Sequence, residues 1–392
     1  MVRPWRSSWF WMLLIVGVLY AGLILMHSFI YHKNLSGFIC LGDQYMPAER
    51  VPPGIVVRPN SVGYDGTFFY MMAHDPFIRG DLAAFMDAPA YRCQRVGYPL
   101  LVWLVALGQP RWFPEVMVAV NLVAVLVGML GVAGLCRLCR CSPWYGLAYA
   151  LLSGLLIALF RDLAGPVAMA WLVWAVLAHM QRRHWLAAAL MSGAVLTRES
   201  LAVMLPVFWF AAWFMKGERR RSWISWLPLL PLMGWQGYVA LRVGQAPWRE
   251  GVRNFGMPLR GLLEQLRLVL PDAQRLPAEK VYLVLFLLAS LLALLLAVWE
   301  VRKQRNAITL GFLGFSLMPL VMTAYVWSEP WAYGRVLVPG GVFLVLSAVW
   351  SRNRWHLVPL GLHVMLFGVF LDWNKLVWRG HTIIGELWAV LT

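Results

Sequence analysis

The sequence predicts an all-α polytopic membrane protein of one transmembrane domain, 1–392, crossing the bilayer about eleven times. Three observations predict it. Of 392 residues, 61% are hydrophobic and only 13% are charged, about half the charged share of an ordinary soluble domain. Apolar runs of roughly 17–22 residues recur along the whole chain. Lys and Arg fall mainly in short segments between those runs.

In order, the expected spans are 9–30, 115–136, 144–160, 164–180, 184–198, 200–215, 223–243, 280–300, 308–326, 333–350 and 355–371. The first is too long for a cleavable signal region and no small-residue cleavage site follows it, so it is expected to remain as an anchor. The fifth is the shortest and ends in "TRES". The run "GYPLLVWLVALG" (97–108) is too short to cross. It is expected to lie in the outer interface, because counting it as a span would invert every later loop. Residues 31–114 then form one large outer (periplasmic) loop with short interfacial helices. Residues 244–279 form a second outer loop, amphipathic in part and placed to act as a lid.

Orientation follows from the positive charges. With Arg3, Arg6 and the N-terminus in the cytoplasm, the cytoplasmic connections read "CRLCRC", "QRRH", "KGERRR", "EVRKQRN" and "SRNRW". Each is short and basic. The outer segments, including the C-terminal tail, hold most of the acidic residues. The 23 Trp suit headgroup-level belts. The net charge of +16 is spent on these connections rather than on a basic patch of a soluble domain, which argues against nucleic-acid binding.

"CRLCRC" (Cys136, Cys139, Cys141) has no fourth ligand nearby, so reduced thiols explain it better than a metal site. Cys40 and Cys93 both fall in the large outer loop, where a disulfide is one of two open outcomes.

Ionisable residues in a membrane chain mark candidate sites. Here Asp65, Asp75, Arg92, Arg95, Arg161, Asp162, Arg198, Glu199, Glu329 and Arg335 all fall on or near the outer side. Asp65, in "VGYDGTFFYMMAHDP", stands where a carboxylate can take a proton from a hydroxyl; it equally suits a helix start. Asp75 before Pro76 reads mainly as a cap and stop, with His74 beside it as a solvated loop residue. Arg92, Arg95 and Tyr98 in "YRCQRVGYP" suit a phosphate or lipid headgroups. Arg161 and Asp162 in "FRDLAGP" suit a mutual pair or a substrate contact. Arg198 and Glu199 in "LTRES" are expensive to bury for structure alone. In "WSEPWAYGR", Arg335 can clamp a phosphate and Glu329 can orient it. Trp327, Trp331 and Tyr333 are placed to stack on a sugar or to form the belt.

Taken together, "YDGTFFYMMAHDP", "YRCQRVGYPLL" and "LTRES" resemble the GT-C superfamily of integral membrane glycosyltransferases, within it a bacterial subgroup with "YDGxFYY"-type loops. The likeness covers 9–215; beyond that only the helix-loop alternation and "EPWAYGR" agree. The resemblance implies a sugar donor on a polyprenyl phosphate, inverting transfer at the outer face, and Asp65 as the catalytic residue of the first loop. Family members often carry a second acid next to the first. Gly66 stands there instead, so the second carboxylate is expected at Asp162, with Asp75 as the alternative. Arg95, Tyr98, Arg161, Arg198, Glu199, Glu329 and Arg335 are the expected donor-phosphate and substrate contacts. A divalent metal is possible but not required.

The expected function is therefore transfer of a sugar from a polyprenyl-phosphate donor to a cell-envelope glycan or glycolipid, in a bacterial inner membrane. The alternatives are a transporter or flippase of a lipid-linked saccharide, which calls for midplane sites and inverted repeats, and a non-catalytic membrane scaffold. No repeat is visible in the sequence.

Overall fold

The computed structural model describes residues 3–376 apart from 47, 216, 252–253, 270, 273 and 275–276, together with 380 and 383. Most of the C-terminal tail expected outside lies beyond the described residues, as do the side chains of Arg3 and Arg6.

The chain is helical. Helix α1 (Arg3–Ser28) leads into the large loop, which holds α2 (Asp65–His74), α3 (Pro89–Cys93) and α4 (Gly97–Val105). A two-residue parallel pair, β1 (Leu41–Gly42) with β2 (Val57–Arg58), ties the loop to itself. Then come α5 (Phe113–Cys139), α6 (Tyr145–Ala150), α7 (Ser153–Leu159), α8 (Gly165–Met180), α9 (His184–Thr197), α10 (Met204–Phe214) and α11 (Leu229–Val243). Two short helices, α12 (Trp248–Gly251) and α13 (Arg260–Val269), precede α14 (Pro277–Lys303). The remainder is α15 (Ala307–Val321), α16 (Ala324–Trp327), α17 (Pro330–Val336), α18 (Val338–Ser351) and α19 (Leu357–Trp373).

Helices of membrane length are fewer than the eleven expected spans. Among the described residues, four helical segments are long and apolar enough to cross a membrane: Ser8–Tyr31, Pro110–Cys139, Pro277–Lys303 and Arg354–Asp372. The pair α17–α18, bent by 43°, makes a fifth if counted as one broken span. Helices α8, α9, α15 and Glu199–Phe214 are apolar but only 10–17 residues long. At 1.5 Å per residue they fall short of a hydrocarbon core about 30 Å thick.

The reason is visible at the breaks. The expected span 144–160 is interrupted between α6 and α7, and Ser153 at the break shares a 2.8 Å hydrogen bond with Tyr282. The expected span 223–243 begins as a 3-10 turn, Arg219–Trp226, before α11. The expected span 308–326 stops at Val321, just after Pro319 inside the helix. Hydropathy counts apolar residues; it does not see that a helix packed among others can stop part-way when its freed backbone groups find partners in the protein.

Basic connections meet at one end. His184 and Glu218 bond at 2.9 Å, with Arg182 and Arg221 at the same carboxylate, 3.7 and 3.9 Å away. Trp350 donates to Gln304, and Asn353 to Glu300. The large loop is clamped by α11. Trp235 donates to the Cys93 carbonyl, Gln236 to the Gln94 side chain, Tyr238 to the Phe77 carbonyl and Arg242 to the Ile78 carbonyl.

Cys40 and Cys93 are buried free thiols with different neighbours, so the disulfide outcome falls away. Cys40 lies against the Gly37 carbonyl and Arg161, while Cys93 lies against Met86. Burial pushes the Cys93 thiol up to about 12, which keeps it protonated and unreactive.

Candidate functional site

Asp65 is the first residue of α2, and its N-cap Tyr64 makes no side-chain cap. The Asp65 carboxylate does not cap the helix either. Its Oδ1 accepts from Arg92 at 2.9 Å and its Oδ2 from Arg335 at 2.6 Å. Burial pushes this carboxyl up, but Arg335, Arg92 and Arg95 outweigh that and hold it below the usual carboxylate range. The position at a helix N-terminus adds in the same direction.

Gly66 explains why no second acid follows Asp65. A Cβ there would collide with the carbonyl oxygens of Arg161 and Ile39. The first turn of α2 therefore lies directly on the backbone of two other segments, and only glycine permits the approach.

Arg92 also grips Asp87 through two hydrogen bonds, 2.8 and 2.7 Å, and stacks over Phe68. Arg95 forms a second two-toothed pair with Glu199, 2.8 and 2.7 Å, stacks over Tyr91 and donates to its hydroxyl. The side chains of Asp65, Arg92, Arg95, Glu199 and Arg335 are between 14% and 21% exposed, so their attractions are much less screened than surface pairs.

Arg198 differs from the other three arginines. Its Nη1 donates to the Arg335 carbonyl at 3.2 Å, its Nη2 to the Val336 carbonyl at 2.7 Å and its Nε to Ser200. All three acceptors are neutral. Among the described residues, the Arg198 charge thus has no carboxylate in direct contact. It also fixes the α17–α18 bend, because Arg335 and Val336 end α17.

These groups line one cavity of about 1140 Å³, together with Asp87, Tyr91, Gln94 and Gln236. Four arginines and three carboxylates face it, leaving one positive charge in excess. Its wall is also apolar, with Phe69, Leu232, Met318 and Met322. The expected lid contributes Trp248, Asn254 and Phe255. Asn254 donates to Tyr91 at 3.2 Å, and its own carbonyl accepts from the Thr323 backbone. Gly256 N–H donates to Val321 and Leu259 N–H to Leu320, which fastens the segment beside the end of α15.

Of the expected site residues, the structure brings together Asp65, Arg95, Arg198, Glu199 and Arg335. It does not bring in Asp162, Tyr98, Arg161 or Glu329, which are absent from the cavity lining. Asp162 is 0% exposed and, among the described residues, neither carboxylate oxygen is within hydrogen-bond geometry of a partner. Burial without a partner penalises the ionised form, which suits no role that needs a ready carboxylate in the cavity. Tyr98 is buried, donates to the Met117 carbonyl and accepts from Asn121. Glu329 is exposed at the start of α17. The alternative second acid, Asp75, ends α2 and accepts from the Gly80 N–H at 2.6 Å, a turn-forming role. His74 is not a solvated loop residue: it sits among the rings of Tyr70 and Phe113, and burial lowers it to about 4.

Sequence reading missed Asp87, Tyr91 and Asn254. Asp87 precedes Ala-Pro and reads as a helix cap; it does accept from the Ala88 N–H, but its main partner is Arg92. Asn254 lies in a stretch without periodicity, so no sequence signal marks it.

Among the described residues, no group of three or more His, Cys, Asp or Glu converges to hold a metal ion. Comparison of the chain with protein families, with curated proteins and with solved structures gives no match.

Proposed function

We propose that the protein is an inverting glycosyltransferase of the GT-C kind, moving a sugar from a polyprenyl-phosphate donor to a cell-envelope glycan or glycolipid. The observation that carries this reading is the Asp65 carboxylate, held between Arg92 and Arg335 in a mainly apolar cavity that Arg198 enters without an acidic partner among the described residues.

A phosphate-linked donor asks for cations that are fixed in place. Arg198 is already fixed by two carbonyls and keeps its charge uncompensated. Arg335 and Arg92 can be shared between Asp65 and an arriving phosphate. In the transfer step the acceptor hydroxyl attacks the anomeric carbon, Asp65 takes its proton, and the bond from that carbon to the phosphate oxygen breaks. The phosphate leaves with the electron pair, and the arginines stabilise it. As Arg335 and Arg92 turn to the leaving phosphate, they stop lowering the basicity of Asp65. The two halves of the reaction are thus coupled through shared guanidinium groups.

Sidedness supports the same reading. The cavity is lined mainly by residues of the expected outer segments and the helix ends beside them, and none of its described lining residues belongs to a basic connection. By the rule that basic connections stay in the cytoplasm, the cavity opens on the periplasmic side of a bacterial inner membrane. A flippase reading gains nothing from this geometry, since its sites are expected at the midplane.

The test is incubation of membranes carrying the full chain with labelled polyprenyl-phosphate sugars. Label should pass to an envelope acceptor in the wild type and not in Asp65→Asn at equal abundance. Transfer at the wild-type rate by that variant overturns the assignment of Asp65.

A further inference from the structure

A second cavity, about 340 Å³, lies beside the first without sharing a lining residue. Arg58, Arg161 and Lys375 line it, and among its described lining residues there is no carboxylate. Each cation is differently held. Arg58 donates to the Tyr31 hydroxyl at 2.8 Å. Lys375 ends the last long helix in a left-handed turn, its N–H bonded to the Asp372 carbonyl.

Arg161 is the centre of the arrangement. Its guanidinium lies 3.9 Å from the Trp331 ring centre and 4.6 Å from that of Tyr64. Stacking uses the two faces of a guanidinium and leaves the N–H donors, which radiate in its plane, to be met otherwise. Among the described residues, only Nη1 of those donors meets an acceptor, the Cys40 sulfur at 3.9 Å, a weak one. The adjoining Asp162 does not compensate the charge in this cavity, being fully buried elsewhere. A planar cation pinned on its faces, with free edges and two further cations around it, is built for a tetrahedral oxyanion.

The place in the fold narrows the ligand. His27 and Tyr31 end the apolar segment Ser8–Tyr31, and Lys375 follows the end of Arg354–Asp372. Two membrane-length segments therefore terminate at this cavity, which puts it at headgroup level.

We propose that this second cavity is a phosphate-binding site, taking the phosphate of a lipid headgroup or a free phosphate ion, with Arg161 as its central donor. The site is independent of the sugar-transfer reading; a chain without transferase activity would keep it. Tyr64, which also faces Arg335 with 5.0 Å between guanidinium and ring centre, separates it from the Asp65 cavity.

The experiment uses the detergent-solubilised full chain. Native mass spectrometry after incubation with phosphatidylglycerol, and thermal unfolding with inorganic phosphate, provide the two arms. The wild type should retain phosphatidylglycerol, or gain thermal stability with millimolar phosphate. In Arg161→Gln, binding should fall about tenfold, the scale of one lost charge-assisted hydrogen bond. The double variant Arg58→Gln/Lys375→Gln keeps the stacked Arg161 and answers the question if the first variant does not fold. Loss in the lipid arm alone identifies a headgroup site; loss in the phosphate arm identifies a site for the ion itself. Equal behaviour of wild type and variants in both arms overturns the proposal.

Discussion

Arg335 donates to the Asp65 carboxylate at 2.6 Å across 270 residues of sequence, and its own carbonyl accepts from Arg198. One residue thus ties the first turn of α2 to the bend between α17 and α18, and both to the cation that has no acid. Helix α17 begins with Pro330, whose fixed φ suits a helix start, and ends at Val336 after seven residues in all. The bend frees the carbonyls of Arg335 and Val336 from a continuing helix, and Arg198 satisfies them. The geometry of the Asp65 cavity and the helix breakage are the same structural event here.

The acid limb of activity should lie low. Asp65 has a folded-state pKa below its unfolded value of about 3.9. The stability it contributes is complete above that value and is lost as pH falls through the lower folded value. On the same sign, kcat/KM should stay flat on the acid side down to the ordinary carboxylate range. In Arg92→Gln the acid limb should move up in pH, because one of the two direct cations is gone. A profile unchanged by that substitution would remove Arg92 from the electrostatics of the site.

Arg198→Lys keeps the charge and loses the fork that spans two carbonyls. Donor KM should rise and thermal stability should drop, since an ammonium cannot meet both the Arg335 and Val336 carbonyls in one plane. The expected loss in kcat/KM is about 10–100-fold, the scale of one or two charge-assisted hydrogen bonds. Steady-state kinetics with a lipid-linked donor, read with a melting curve, checks it; unaltered KM and melting together would contradict the role given to Arg198.

Gly66→Ala should destabilise the protein by roughly 1–3 kcal/mol, the usual range for forcing an extra methyl into a packed place. The obstacles are the backbone carbonyls of Arg161 and Ile39, which cannot rotate away as a side chain would. Gly54 and Gly217, around which a Cβ meets nothing within 4 Å, tell little in comparison because both have positive φ. Gly17, in α1 with open space around its Cβ position, is the better control, and Gly17→Ala should leave the melting temperature almost unchanged.

Arg95 and Glu199 should behave as a unit. Two short parallel hydrogen bonds join them at partial burial, so Arg95→Gln, Glu199→Gln and the double variant should lose similar stability. A coupling energy of about 1–3 kcal/mol in a double-mutant cycle is expected. Strictly additive losses would mean that the pair contributes no more than an exposed one.

Much of the site was legible because charge is rare in this chain. Arg95, Arg198, Glu199 and Arg335 stand out against apolar surroundings, and all four line the cavity with Asp65. Asp162 and Arg161 stood out for the same reason. Yet two adjacent residues on a tight turn point apart, one fully buried and the other into a separate cavity. Asp162 itself has φ +46, a left-handed turn that sequence spacing does not reveal. Asp87 was hidden because its place before Ala-Pro suggests a cap, whereas the helix that follows has no side-chain cap and Asp87 bonds mainly to Arg92.

The sequence by itself determined that the chain is helical, with apolar helices that suit a membrane. Those properties follow from composition and from the cost of placing charge in hydrocarbon, both of which act residue by residue. Only the tertiary structure decided how many helices have membrane length, which carboxylate meets which guanidinium, and that the cations divide between two cavities. Those outcomes depend on where helices break and what packs against the break. Such contacts join residues more than a hundred positions apart, as Arg95 and Glu199 do, and no local pattern encodes them.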